Sequence, residues 1–129
     1  MLFNIAVHHG PEYLLVVCAG RSTLADLLGA ADLIARIAAV RGYRRALIDL
    51  TATEPELAFT EHLQLGAHVA ASLASLDRVS TVVSPRYRTG VSEKAAQKEG
   101  LRLRTFTSLE EAQAWMRDAP GKTATSSVS

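Results

Sequence analysis

Cysteine is all but absent from this sequence, with one in 129 residues. Cys18 alone cannot close an intrachain disulfide or supply a cysteine-based metal set, which suits a reducing compartment. Within "YLLVVCAG" it reads as a small buried hydrophobe. An excess of charge is equally absent: 14 Lys and Arg against 13 Asp and Glu leave +1. No global field draws the chain to DNA or anionic lipid, so nucleic acid is not expected as a partner. No apolar run approaches the ~20 residues of a membrane helix, and the start lacks the pattern of a signal peptide. A cytoplasmic location without a membrane span is the expectation. Walker-type, GxGxxG and GxSxG sequences are missing as well, so the sequence has no nucleotide fingerprint and no nucleophile elbow. No catalytic residue and no cofactor are expected, and the chain reads as a non-enzyme.

What is present is an ordinary globular composition, 48% hydrophobic and 21% charged, long enough for one core. A single domain over 1–117 is expected. Residues 118–129, "DAPGKTATSSVS", lack apolar periodicity and read as a flexible tail.

Hydrophobic periodicity orders the elements. "LFNIAVHH" alternates with Phe3, Ile5 and Val7 on one face, and "YLLVVCAG" is apolar on both faces, so the two read as a hairpin with the second strand deeper. "STLADLLGAADLIARIAAVRG" carries a helical stripe, a capping box at Thr23 and Asp26, and a stop at Gly42. "RRALIDL" is a short, nearly continuous apolar strand of the kind covered by helices on both faces. A loop through Pro55 leads to the helix "TEHLQLGAHVAASLASL". Its polar residues Glu61, Gln64, His68, Ser72 and Ser75 form a narrow stripe, which leaves a wide apolar surface to bury on the sheet and on something else. "RVSTVVS" is a strand, "VSEKAAQKE" a short helix and "LRLRTF" an edge strand. "SLEEAQAWM" is the last helix, with Leu109, Ala112 and Met116 toward the core and Trp115 closing its edge. The class is α/β, with a mixed, mostly parallel sheet of about five strands, an N-terminal hairpin and four helices.

Few residues stand out chemically. Asp49 and Thr51 lie at the carboxyl end of a parallel strand, where open α/β sheets bind ligands, although Asp49 equally reads as a carboxylate bonded within its own loop. "SPRYRTG" sets Arg86 and Arg88 around Tyr87 between a strand and a helix, either a solvated loop or an anion-binding position. Asp49, Thr51, Arg86 and Arg88 together form a candidate pocket for a small apolar, lipid-like or anionic molecule. Thr60 reads as a helix N-cap. Histidines at 8, 9, 62 and 68 have no metal-ligand spacing, so no metal site is expected.

The element order, "RALIDL" and "TFTSLEEAQAWM" resemble the STAS domain, in its SpoIIAA-like group of small bacterial proteins related to anti-sigma-factor antagonists. The resemblance covers most of 1–117. It implies a non-enzymatic regulatory or partner-binding domain, acting on a protein partner or as a homodimer. Antagonists of that group carry an Asp-Ser-Ser-Gly type sequence at a helix start, with a serine phosphorylated by a partner kinase. Here the helix start reads Ala58, Phe59, Thr60, Glu61, without the Asp-Ser pair or the Gly. The resemblance therefore implies Thr60 as phospho-acceptor at most, and a partner surface of Thr60, Glu61, His62 and Leu65. The fold is also similar to larger Sec14-type lipid-binding domains, which is an analogy of fold.

Overall fold

A computed structural model describes residues 2–117, and the segment expected as a tail lies outside the described residues. The elements are β1 (Asn4–His9), β2 (Leu14–Ser22), α1 (Leu24–Arg41), β3 (Arg45–Pro55), α2 (Phe59–Ser72), β4 (Arg78–Val82), a 3-10 turn (Pro85–Tyr87), α3 (Val91–Lys98), β5 (Leu103–Phe106) and α4 (Leu109–Arg117). The five strands lie in the order β1-β2-β3-β4-β5, β1 antiparallel to β2 and the rest parallel. The expected class, strand number and hairpin are therefore all present.

Because the strand order never reverses, successive right-handed crossovers deliver their helices to one face. Helices α1, α2 and α3 pack side by side there, while α4, which follows the last strand, packs on β3, β4 and β5 from the other side. The sheet is covered unequally. Under the three-helix layer Leu14, Val16, Cys18, Ile48, Val79 and Leu103 meet Ile34 and Leu73. Under α4 the smaller core joins Leu47, Val82 and Phe106 to Ala112 and Met116. Trp115 leans on Phe106 at 5.9 Å between ring centroids, closing that core's edge as expected. Leu109 departs from expectation: it is 39% exposed, because it occupies the first turn of α4, at the rim of the sheet.

Local signals act where the sequence places them. The Thr23 hydroxyl accepts from the Asp26 amide and the Asp26 carboxylate accepts from the Thr23 amide, a reciprocal cap on α1. Gly42 ends that helix at φ +74°, a conformation that only glycine adopts without strain. The third strand differs from expectation. It runs 11 residues to Pro55, so Thr51 and Thr53 are strand residues rather than loop residues. A bulge explains the misreading. Opposite Val17 and Ala19 of β2, β3 advances from Asp49 to Ala52, one residue more than its partner. The Asp49 carboxylate accepts from the Thr51 amide at 3.0 Å and hydroxyl at 2.7 Å, which holds the extra residue. Beyond the bulge the facing of side chains reverses, and Thr53 is buried with its hydroxyl donated to the Leu50 carbonyl.

Two arginines that sequence reading passed over hold α4 down. Arg78 is fully buried and donates to the Trp115 carbonyl at 2.6 Å, while Arg45 donates to the Met116 carbonyl. These carbonyls lie in the last turn, at the negative end of the helix dipole, where a cation is favoured. The Arg78 guanidinium also stacks over the Trp115 ring at 5.2 Å.

The edge strand β5 is blocked by side chains. Gln97 donates to the Leu103 carbonyl at 2.7 Å, Glu93 accepts from the Thr105 amide at 2.7 Å and Arg88 donates to the Thr105 carbonyl at 3.3 Å. Groups that would otherwise template another strand are occupied.

Helices α2 and α3 approach most closely at Gly66. A Cβ there would lie 2.5 Å from the Ser92 carbonyl oxygen and 2.6 Å from the Ala95 Cβ. Replacing glycine by alanine inside a helix gains about 1 kcal/mol of propensity. Overpacking against backbone costs about 1–3 kcal/mol, and this clash belongs at the upper end. Gly66→Ala should therefore destabilise by roughly 1–2 kcal/mol net, whereas Gly29→Ala on open α1 surface should stabilise by up to about 1 kcal/mol. Denaturant titration of the two variants checks the opposite signs.

Candidate functional site

A cavity of about 140 Å³ lies between the three-helix layer and the sheet. Its lining grades from fully buried residues, Cys18, Ile34, Leu73 and Ala96, to the exposed Arg88 and Thr89. It therefore opens toward the segment after β4. Leu65, Gly66 and Val69 of α2 form one wall, and Ile48, Leu50 and Thr53 of β3 another. The α2–α3 contact at Gly66 is what brings this wall against α3.

Of the expected pocket residues, only Arg88 lines this cavity. Asp49 and Thr51 bond each other in the bulge, on the sheet face that Leu47 shares, opposite the three-helix layer. Arg86 stacks over the neighbouring Tyr87 ring at 5.1 Å on the outside. The physical reason is the strand order. Ligand crevices at strand ends form where the order reverses and flanking helices diverge to opposite faces, and this sheet has no reversal.

Nor is Arg88 a free cation. Besides the Thr105 carbonyl it faces Glu93 across 3.9 Å, and Glu93 is the more buried of the two. The cavity mouth thus holds one positive and one negative side chain. The remaining polar lining is hydroxyl and imidazole. The hydroxyls of Thr81 and Thr105 share one hydrogen bond at 2.9 Å. Ser92 donates its hydroxyl proton to the His62 carbonyl at 3.0 Å, so its contact with His62 Nδ1 at 3.2 Å requires an Nδ1–H donor. In the neutral ring this leaves Nε2 as an acceptor.

The expected partner surface divides between two sides of α2. Thr60 is exposed on the outer side, and its hydroxyl makes no hydrogen bond to a described residue. It is not the cap: the helix begins at Phe59, and Ala58 occupies the cap position with its amide donating to the Glu61 carboxylate at 2.8 Å. His62 and Leu65 turn inward and line the cavity. The outer side instead carries Phe59, 65% exposed, and Leu63, 42% exposed, one turn apart. Thr60, Gln64, Ala67 and Ala71 complete an exposed side with no charged residue.

The polar stripe of α2 is partly turned to α1, because Asp32 accepts from His68 at 2.7 Å and from Ser72 at 3.2 Å. The hydrogen bond from His68 holds the Asp32 carboxyl below its ordinary value. His9 stacks on Tyr43 at 5.9 Å, and among the described residues no group of His, Cys, Asp and Glu is placed to hold a metal. No described helix is long and apolar enough to cross a membrane.

Cys18 at the cavity floor is fully buried, and burial pushes its thiol up to about 11, with the Asp49 carboxylate adding to the rise. Its thiolate is correspondingly rare at neutral pH. Ellman's reagent at pH 8 should react with the native protein on the order of 100-fold more slowly than with the same protein in denaturant. Rates within a few-fold of each other would show that the thiol is accessible.

No family model and no curated protein matches the sequence. Solved structures do. An uncharacterised DUF3478-family protein with a SpoIIAA-like fold from Shewanella loihica superposes with a TM-score of 0.55 at 20% identity, over 88% of this chain and 93% of that one. An anti-sigma factor antagonist from Mycobacterium paratuberculosis gives 0.63 at 16%, over 91% and 96%. The anti-sigma factor antagonist SpoIIAA in its unphosphorylated form gives 0.56 at 12%, over 92% and 100%. Superposing along nearly the full length of each of these structures, the described chain has a SpoIIAA-like fold.

Proposed function

We propose that this chain is a non-enzymatic regulatory module that works by binding another protein through the outer side of α2. The observation that carries the reading is the uncharged exposed side of that helix, with Phe59 and Leu63 one turn apart at its start. Exposed apolar side chains clustered on one helix face mark interaction surfaces more often than isolated ones do. Two structural neighbours are anti-sigma factor antagonists, proteins whose names describe action on another protein, which supports the same class of role.

Thr60 lies within this surface. Phosphate there would add close to two negative charges to an uncharged patch, and Glu61 beside it would oppose the gain at the helix N-terminus. Phosphorylation of Thr60 would thus act by weakening apolar docking. A second reading, ligand binding, is favoured by the cavity on the inner side of the same helix. The two readings use opposite sides of α2 and are compatible.

A photo-crosslinking amino acid at Leu63, introduced in cells of the source organism, should give one discrete adduct with another protein. The adduct should fall several-fold with Phe59→Ser or Thr60→Glu, and the same label at Arg102 should give none. An adduct of twice the chain's mass would make a second copy the partner. No adduct at 63, or the same adducts at 63 and 102, would overturn the reading.

A further inference from the structure

We infer that the cavity under α2 takes a small uncharged molecule of about 6–8 non-hydrogen atoms, apolar apart from one hydroxyl or carbonyl oxygen. This rests on the ligand-binding reading above and names its chemical class. Size comes first. At about 140 Å³ the space is close to that of an engineered cavity of about 150 Å³ that admits benzene. A full-length acyl chain does not fit within it.

Charge decides the next point. The charged side chains at the mouth are Arg88 and Glu93, which face each other across 3.9 Å. An anionic ligand that drew Arg88 away would leave the more buried Glu93 carboxylate without its cation, held by the Thr105 amide alone, and a cationic ligand on Glu93 would face the Arg88 charge beside it. A neutral ligand disturbs neither. The lipid-like carboxylate or phosphate that a lone Arg88 would suit is disfavoured for the same reason.

The polar handle comes last. Two threonine hydroxyls, Thr81 and Thr105, share a single hydrogen bond, so one hydroxyl proton of the pair is left to donate. The uncommitted Nε2 of His62 can accept. An alcohol or phenol oxygen satisfies both roles, and a ketone the first. Of the other polar walls, Thr53 and Ser92 have their hydroxyls bonded, Cys18 offers a buried thiol, a weak donor at best, and Tyr87 and Thr89 lie at the rim.

Titration calorimetry and protein-observed methyl NMR with 1-hexanol, hexanoate and hexylamine at pH 7.5 test the class. Hexanol should bind at least tenfold more tightly than either ion, shift the Leu65 and Val69 methyls, and lose at least tenfold in affinity in Ala30→Leu, which fills the space. The double variant Thr81→Val, Thr105→Val should lower hexanol affinity several-fold and leave benzene binding unchanged. Preference for hexanoate or hexylamine with the same methyl shifts would overturn the class and keep the ligand reading. No binding by any probe, or binding that leaves the Leu65 and Val69 methyls unmoved, would overturn both. The methyl shifts are read on the unmodified protein, so a poorly folded Ala30→Leu does not decide the outcome.

Discussion

The close approach of α2 to α3 at Gly66 is the constraint on which the cavity side of the molecule depends. With no side chain at that position, the Ser92 carbonyl and the Ala95 methyl occupy the space where a Cβ would sit. The two helices are then near enough for His62 and Ser92 to exchange two hydrogen bonds. On its other flank α2 is tied to α1 through Asp32, His68 and Ser72. A helix held on both sides bridges the sheet beneath it instead of settling onto it. The cavity is the space left under that bridge.

One helix therefore presents two unlike surfaces. Its inner side, Leu65 and Val69, walls an apolar space, and its outer side shows Phe59 and Leu63 to solvent without a charge between them. The start of this helix, where those two side chains stand exposed, is where the proposed partner would dock. The cavity sits directly behind it. The cavity lining and the exposed pair thus belong to the same few turns of helix.

The fold was legible because the strands and most helices carry unmixed signals. The Thr23–Asp26 box, the Gly42 stop and the alternation of Leu101 and Leu103 with Arg102 and Arg104 each depend on neighbours in sequence. Misreadings arose where a tertiary partner changed a local rule. The Asp49–Thr51 bonds convert an expected strand end into a bulge and reverse the facing of Thr53. For His68 and Ser72 the sequence named no partner, because Asp32 lies 36 and 40 residues away. Arg88 read as either a solvated loop residue or an anion site because Glu93 and the edge of β5 could not be placed beside it. Arg78 gave no warning: an arginine opening a strand looks exposed until α4 is laid over it. Gly66 was the one signal that sequence reading should have used, since a glycine amid helix formers often marks a close approach.

Xenon pressurisation of crystals of the protein tests most directly that the bridge over the sheet leaves a dry space a small molecule can enter. Xenon should appear among Ile48, Leu65 and Val69, without ordered water in its place, as in other apolar cavities of this size. A cavity that takes no xenon, or one filled by a hydrogen-bonded chain of waters, would contradict it.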